Sequence, residues 1–483
     1  MLVLETIIGL EVHAQMNTKS KMFCGCDNDA FGKAPNTTVC PVCMGHPGTL
    51  PAPNGEAVAK AMKAALALGS SVNTENHFDR KHYFYPDLPA GFQISQYDFP
   101  LASGGAVAYD VTDAGTNATA PRTCRIRRLH MENDAGKLTH RGRRTLLDFN
   151  RAGTPLMEIV TEPDLPGARE AVAFAQELRR ILIAVGASEA DMFKGMMRFD
   201  ASISLREKGA ATLNPRSEIK NLNSFKSLEK ALLYEEKRLR ALWEKEGEPL
   251  PHDITVGWLD EEEKTKMLRE KETADDYRYF PEPDIPPMRF TAKDIGDIRG
   301  NMPELPRELK DRYLQLGTEE FEAVLLTDDP YLRRVFDAVL QKTNDIKLTR
   351  SLVLTQLAGF LKTEEKDYER PDAERMIALM SGLIEQLSEG IIHKNQTKEI
   401  IDEMVRTDSE AKEIIRMRGI QISGIHETET YVDRAIAENP KAVEAYKAGK
   451  MQAFGALVGW VMKETKGQAD PVKVNGLLRK KLS

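Results

Sequence analysis

Residues 122–158 read RTCRIRRLHMENDAGKLTHRGRRTLLDFNRAGTPLME, and this stretch sets acids and bases side by side on what reads as paired strands. CRIRRLHMEND alternates with period two, which predicts a strand with Arg125, Arg127 and Leu129 on one face and Ile126, Arg128 and His130 on the other. A second strand is predicted at Thr145–Asn150. Between them Asp134-Ala-Gly136-Lys137 has the composition of a turn that brings backbone N–H groups and a lysine toward an anion. Glu132, Asp134 and Glu158 are hard oxygen ligands, while Arg125, Arg127, Arg128, Lys137, Arg141, Arg143, Arg144 and Arg151 offer positive charge to phosphates. That mixture suits a magnesium nucleotide, because Mg²⁺ takes few carboxylates and completes its shell with phosphate oxygens and water. A salt-bridged surface ribbon has the same composition, so the rest of the chain must decide.

At 483 residues the chain exceeds what one hydrophobic core usually supports, and roughly two to four domains are expected. A net charge of −7 excludes a uniformly basic nucleic-acid coat and leaves RNA contact to local patches. The opening MLVLETIIGLEVHAQ has an apolar run without a basic leader or cleavage site, so it reads as a strand. No apolar run approaches the roughly 18 to 20 residues of a membrane span, which points to the cytoplasm and to no membrane partner. Of five cysteines, four fall between Cys24 and Cys43, a metal-site pattern rather than a disulfide framework.

Along the first strand, Thr6–Gln15, Glu11 and His13 alternate onto one face, either as a metal site or as a satisfied buried pair. Cys24-Gly-Cys26 and Cys40-Pro-Val-Cys43 supply the two halves of a tetrahedral thiolate cage, predicting a structural Zn²⁺ knuckle over 24–43; a metal-free reduced loop is the other reading. A helix over 54–68 is followed by Lys81-His-Tyr83-Phe84-Tyr85-Pro and Gln93-Ile-Ser-Gln96, where aromatic planes interleave with polar side chains. Tyr83, Tyr85 and Gln93 are accordingly candidates for holding an RNA end by stacking and hydrogen bonding, although a sheet edge looks similar. After a helix over 166–186, Met197–Ser204 puts Arg198, Asp200, Ser202 and Ser204 on one strand face. Glu218 and Lys220 share a face of the next strand, and Asn221, Asn223 and Ser224 stand at a helix start, a natural phosphate cradle. Helix 226–246 is charged enough to read as a solvated outer layer. Residues 275–287 are proline-rich and read as a fixed extended loop, with a domain boundary near Ala292.

From Pro303 onward helical periodicity dominates to the C-terminus. The last segment carries Lys447, Lys450, Lys463, Lys466, Lys473, Arg479, Lys480 and Lys481, which is either a solvated lysine surface or an RNA contact. Gly455 and Gly459 leave a small-residue face on a predicted helix over 450–466, open to RNA or to a packed helix.

Taken together, IGLEVHAQ, CGC with CPVCMGHPG, KHYFYPDLP with QISQ, DAGKLTH, NRAGTPLMEIVTEPD, EIKNLNSF and DYRYFPEPDIPP resemble the successive signatures of the B subunits of the aspartyl/glutamyl-tRNA(Asn/Gln) amidotransferases. The tail NPKAVEAYKAGKMQAFGALVGWVMKETKGQADP resembles that family's YqeY-like domain. Ala90 and Phe92 stand where Lys and Tyr are common, MRFDASIS differs from the usual MRCDVNVS, and Asp275 replaces a common His. The resemblance implies an α+β chain: a glutamine-synthetase-like cradle with an antiparallel sheet over 1–292, an all-α helical domain over 293–406 and an all-α YqeY-like tRNA-binding tail over 407–483. It implies ATP- and Mg²⁺-dependent phosphorylation of the side-chain carboxylate of Glu-tRNA(Gln) or Asp-tRNA(Asn), followed by amidation. Ammonia would come from an amidase partner that hydrolyses glutamine, with a small third protein of the complex bracing the pair.

On that basis Glu11, His13, Glu132 and Glu158 are expected to hold magnesium, and Glu132, Glu158, Asp200, Glu218 and Lys220 to carry the chemistry. Arg125, Lys137, Arg151, Asn221 and Asn223 are the nucleotide and phosphate candidates, and Lys447, Lys450 and Lys463 join Tyr83, Tyr85 and Gln93 as tRNA contacts. A free-standing ligase for a small amino acid and a non-catalytic RNA-binding scaffold remain the competing classes.

Overall fold

The structure, a computed structural model, describes residues 3–112, 115, 118–270, 274–363, 371–419, 425–448, 450–465, 469 and 471–482. It comprises two compact units, Met1–Pro306 and Arg307–Ser483.

A ten-stranded sheet organises the first unit. Its central strand is Leu4–Gln15, flanked by Pro155–Thr161 on one side and Met197–Glu207 on the other, both antiparallel to it. Outward from Pro155–Thr161 comes Thr119–Asn133; outward from Met197–Glu207 come Ser217–Leu222, Ile254–Leu259 and Lys264–Glu270. The pairing of Ser217–Leu222 with Ile254–Leu259 is parallel. The helix Phe225–Glu246 lies in the chain between those two strands and supplies the crossover a parallel pair requires.

The alternation of Leu4–Gln15 decides what each face does. Ile8, Leu10, Val12 and Ala14 are buried in the main core, together with Phe174, Leu178 and Leu182 of helix Ala168–Ala184 and Leu228, Leu232 and Leu239 of Phe225–Glu246. Full burial of each such Leu or Phe contributes roughly 1.5–3 kcal/mol before the entropy cost of ordering it. Residues Gly9, Glu11 and His13 point the other way. Helix Phe225–Glu246 is therefore not the wholly solvated layer its charge suggests. Even Glu235 on its packed face is buried, accepting from Ser217 Oγ at 2.5 Å and Thr265 Oγ1 at 2.8 Å.

The stretch 122–158 departs from its expected pairing. Thr119–Asn133 pairs with Pro155–Thr161, whereas the strand beginning at Arg144 forms a separate hairpin with Lys137–Arg141. A bulge also interrupts the alternation: Val160 faces Arg128, yet the next residue, Thr161, faces Ile126, leaving Arg127 unmatched. Cys124 and Ile126 enter the core before the bulge, and Leu129 and Met131 enter it afterwards. Ile126 thus does not share a face with Arg128 and His130, as strict period two predicts.

Residues 276–287 form the expected proline-rich loop and pair only at a sheet edge, where Phe280–Pro281 meets Arg80 and Asp79. The Arg80 guanidinium binds the buried Glu282 carboxylate through two bonds of 2.7 and 2.8 Å and lies 4.4 Å from the Phe92 ring centroid. Helix Ala292–Gly300 follows, and its Ile295 and Ile298 pack on the main core, so the first unit runs past the 292 boundary read from the sequence.

The second unit is helical throughout its described residues. Helices Glu320–Asp328, Pro330–Thr343, Ala373–Ser388, Thr397–Thr407 and Ala411–Arg418 contribute to one hydrophobic cluster. A separate cluster gathers Val432, Leu457, Val461, Val474 and Leu478 from helices Ile425–Glu438, Gln452–Glu464 and Pro471–Leu482. Lys466, Gly467 and Asp470, read as a tail lysine and helix-end signals, lie outside the described residues.

Candidate active site on the open face of the sheet

Strand register lines up the polar residues in rows. His13 faces Glu158 on one neighbour and Arg198 on the other, and Glu158 in turn faces His130. One pleat along, Glu11 faces Asp200 and Val160, and Val160 faces Arg128. These rows open into a basin of about 890 Å³ whose walls include Lys81, Tyr97, Arg128, His130, Lys220 and Tyr279.

Two acid clusters lie in it. In the first, ligand atoms of His13, Glu132 and Glu158 all fall within 4.8 Å of one another. Glu158 Oε2 is 3.3 Å from both His13 Nε2 and His130 Nε2, and His130 Nε2 is 3.8 Å from Glu132 Oε2. The Ser95 hydroxyl donates to Glu132 at 3.1 Å. Burial disfavours charge on His130, but the Glu158 and Glu132 carboxylates outweigh it and raise its pKa to about 9. Burial likewise opposes ionisation of Glu158, yet the two imidazoles hold it well below the carboxylate range. In the second cluster, Glu11, Asp200 and Glu218 converge within 4.8 Å. Lys220 Nζ bridges two of them, 3.0 Å from Asp200 and 2.7 Å from Glu218.

The donor sets fit divalent cations. Three carboxylates meet one ammonium in the second cluster, leaving negative charge to be neutralised, and oxygen ligands of this kind suit Mg²⁺. In the first, the buried His13 Nδ1 has no hydrogen-bond partner, which marks an imidazole oriented by contacts at Nε2 alone. Glu11, expected among the ligands of a single site, belongs instead with Asp200 and Glu218, because it sits one pleat away from His13.

Asp134 organises the edge of the first cluster. Its carboxylate accepts from both terminal nitrogens of Arg198 at 3.2 Å and from Gln15 Nε2 at 2.9 Å, with Arg151 Nε 3.6 Å away. Burial would raise its pKa, but Arg198 and Arg151 overcome that and hold it well below the usual carboxylate range.

Several phosphate candidates are committed elsewhere. Arg125 is 67% exposed at its side chain and forms a bidentate pair with Asp164. Arg151 donates to the carbonyls of Ala135 and Gly136. The 134–137 turn spends its amides internally, Ala135 N–H on Asp134 Oδ1 and Gly136 N–H on the Asp87 carbonyl, so they do not form an anion nest. Lys137 and Asn223 are exposed and do not line the basin. The Asn221 side chain lies outside the described residues. Among the aromatic-loop candidates, Tyr85 is 60% exposed, whereas Gln93 is buried and donates to the Asn133 carbonyl at 2.8 Å.

Sequence reasoning passed over His130, Lys81 and the full consequence of Arg128. Lys81 and Arg128 line the basin without a carboxylate within ion-pair distance among the described residues, unlike Arg127 on Glu162, Arg216 on Asp253 and Lys220. Arg128 Nε is buried and has no hydrogen-bond partner, and its guanidinium carbon lies 5.9 Å from the Tyr97 ring centroid. Lys81 Nζ stands 4.8 Å from the Tyr277 centroid. Burial opposes its charge, but Tyr279, Glu132 and Glu158 together hold its pKa above the ordinary lysine value. The signal for both was a cation amid aromatics, too common to stand alone.

Sulfur ligand atoms of Cys24, Cys26, Cys40 and Cys43 also lie within 4.8 Å of one another. The spacing is compatible with a tetrahedral thiolate site, whose zinc–sulfur bonds of about 2.3 Å put the sulfurs a little under 4 Å apart. Cys43 and Cys40 Sγ are 3.9 Å apart. Contact with Cys24 lowers the Cys43 pKa to about 5, with burial opposing and Lys21 helping. Tail lysines Lys447, Lys450 and Lys463 are exposed.

A sheet sealed by helices on one face, with two clusters of metal-binding residues and unpaired cations on the other, is equipped for metal-assisted group transfer. Family comparison makes the class specific. Residues 6–296 match the profile described as the GatB/GatE catalytic domain, and residues 334–482 match that of the GatB domain. The aspartyl/glutamyl-tRNA(Asn/Gln) amidotransferase B subunit of Gloeothece citriformis is 41% identical, covering 99% of this chain and 97% of its own. The same-named protein of Thermotoga neapolitana is 42% identical over 99% of this chain and 98% of its own. The second such B subunit of Clostridium acetobutylicum is 42% identical over 99% of each. The chain belongs to this family of tRNA amidotransferase B subunits and is a component of a carbon–nitrogen ligase. Among the described residues no helix is long and apolar enough to cross a membrane.

Proposed function

We propose that this chain performs the ATP-dependent half of glutamine-dependent tRNA amidation. The observation that carries this reading is the adjacency of the two acid clusters to Arg128 and Lys81 in one basin. A carboxylate is a poor acyl donor until one oxygen becomes part of a phosphate leaving group. The side-chain carboxylate of Glu-tRNA(Gln) or Asp-tRNA(Asn) attacks the γ-phosphorus, ADP departs, and ammonia then adds to the acyl carbon and expels phosphate.

Phosphoryl transfer depends mostly on positioning and charge neutralisation. Glu132 and Glu158 with His13, and Glu11 with Asp200 and Glu218, would hold Mg²⁺, which supplies neutralisation of the phosphoryl oxygens when bound. Arg128 and Lys81 have charge to offer the nucleotide because no protein carboxylate consumes it. Asp200 and Glu218, with Lys220, are placed to receive the proton that incoming ammonium must lose. The four cysteines would hold structural Zn²⁺.

Ammonia is supplied by an amidase partner, and a small third protein braces the assembly, all in the cytoplasm. The two hydrophobic clusters of the second unit support a helical domain followed by a YqeY-like tail. There the exposed lysines, with Tyr83 and Tyr85 of the first unit, contact misacylated tRNA. Hydrolysis of ATP by the purified complex, measured with Glu-tRNA(Gln), Asp-tRNA(Asn) and free glutamate, tests the reading. Stimulation by at least one misacylated tRNA and not by free glutamate is expected; a complex that hydrolyses no ATP with either tRNA would refute it.

A further inference from the structure

Lys21 has no accessible surface at all. Its Nζ donates to the Ala152 carbonyl at 2.7 Å and lies 3.8 Å from Cys43 Sγ, and no carboxylate reaches it among the described residues. Burying an ammonium without a counter-charge costs several kcal/mol, so lysines are almost never fully buried unless paired. The groups within reach are a neutral carbonyl and the sulfur of a four-cysteine cluster. Four neutral thiols would leave the ammonium uncompensated. Four thiolates around one divalent cation carry a net charge of −2, and Lys21 then neutralises part of it while the cluster in turn accommodates the lysine.

The other end of this contact reaches the active site. Ala152 belongs to the turn 151–154, whose Gly153 N–H donates to the Asp134 carbonyl while Asp134 N–H donates to the Thr154 carbonyl, both at 2.9 Å. Gly153 has φ of +90°, and a Cβ there would stand 3.1 Å from Cys43 Cβ and 3.3 Å from Lys21 Cδ. The turn and the cysteine cluster are therefore packed tightly enough that a displacement of one is felt by the other. Asp134 is the carboxylate that gathers Arg198, Arg151 and Gln15 beside the first acid cluster.

We infer that Lys21 is the counter-ion of a metal-bound tetrathiolate and, through the Ala152 carbonyl, the positioning residue that ties this centre to the turn beside Asp134. The inference rests on the zinc reading of the four cysteines, and the experiment separates the two. Zinc content of the reduced, chelator-washed full-length protein is measured first; a protein with no metal overturns the zinc reading and the inference with it. With about one zinc per chain present, wild type, Lys21→Met and Lys21→Arg are titrated with a chromogenic chelator.

Lys21→Met should release zinc roughly 10- to 100-fold more readily, as outer-sphere partners of metal sites do when removed, and Lys21→Arg should recover most of the loss. Hydrogen exchange at the amides of Gly153 and Thr154 supplies a readout independent of activity. It should accelerate when zinc is stripped from wild type, and already be fast in zinc-loaded Lys21→Met. Should Lys21→Met fail to fold, the wild-type zinc-dependent exchange and the Lys21→Arg titration carry the test. A folded Lys21→Met with the wild-type chelator curve overturns the counter-ion role. Exchange at Gly153 and Thr154 that ignores zinc removal overturns the tie.

Discussion

Glu158 and His130 face each other across adjacent antiparallel strands, with Oε2 and Nε2 3.3 Å apart in the sheet's most polar row. The same oxygen meets His13 at 3.3 Å from the opposite strand, so one carboxylate is framed by two imidazoles. That arrangement fixes the carboxylate's direction through the rigid sheet rather than through a loop, which is what a site requiring tight positioning needs.

Replacement of Glu132 by Gln keeps shape and removes charge from the first cluster. Transfer of the γ-phosphate to glutamyl-tRNA should fall by roughly 10²-fold or more, a loss comparable to removing a principal electrostatic group. Glutaminase activity of the amidase partner should persist. Rapid-quench measurement of labelled phosphate on the substrate distinguishes this from a general loss of assembly.

Arg128→Gln should raise the KM for ATP or lower kcat by about 10- to 100-fold, the worth of one or two charge-assisted hydrogen bonds of roughly 1.5–3 kcal/mol. Arg125→Gln should shift either parameter by about twofold at most, since that guanidinium is exposed and engaged by Asp164. Steady-state ATP kinetics of the two variants, side by side, decide whether the basin or the outer ribbon receives the nucleotide.

Acid stability should depend on Asp134. Its folded pKa is depressed, so its contribution is fully present above the unfolded carboxylate value near about 4 and is lost as pH falls from there through the folded value. Asp134→Asn should therefore be less stable than wild type at pH 7, with the gap narrowing below about pH 4. Thermal unfolding of both proteins across this range measures it; a gap that widens toward acid contradicts the assignment.

The tail helices share a hydrophobic cluster of their own. Helix Ala411–Arg418 packs with the earlier helices through Ile414 and Ile415, so a truncation after Gly419 spares that cluster, whereas one after Arg406 would cut into it. Removal of residues 420–483 should weaken tRNA binding and flatten its salt dependence, because fewer phosphate contacts release fewer counterions. Filter binding over a salt series provides the slopes. A Cβ at Gly455 or Gly459 would meet nothing within 4 Å, so the small-residue face is not explained by tight packing within the tail.

The placement of Glu11 with His13 was legible because a single strand's alternation needs no knowledge of its neighbours. Glu218 with Lys220, and Arg198 with Asp200, were legible for the same reason. What could not be read was register. The division of Glu11 from His13 into two clusters depends on which residues of Pro155–Thr161 and Met197–Glu207 lie opposite, and neither strand is near Leu4–Gln15 in sequence. Lys81 and the Arg80–Glu282 clamp depend on a contact between residues about two hundred positions apart. The four cysteines stood out because their spacing is local, whereas Lys21, three positions before Cys24, was an ordinary surface lysine by composition until its burial was known.

The bulge at Arg127 lets one strand begin with Cys124 and Ile126 inward and end with Leu129 and Met131 inward, carrying Arg128, His130 and Glu132 to the catalytic side. Deleting a single residue there would restore a regular pleat and exchange inside for outside over everything downstream, pushing an imidazole and a carboxylate into the hydrophobic layer while turning Leu129 and Met131 to the solvent. The segment can therefore absorb many changes of side chain but no change of parity, and along 124–132 the count of residues is a stricter requirement than most of their identities.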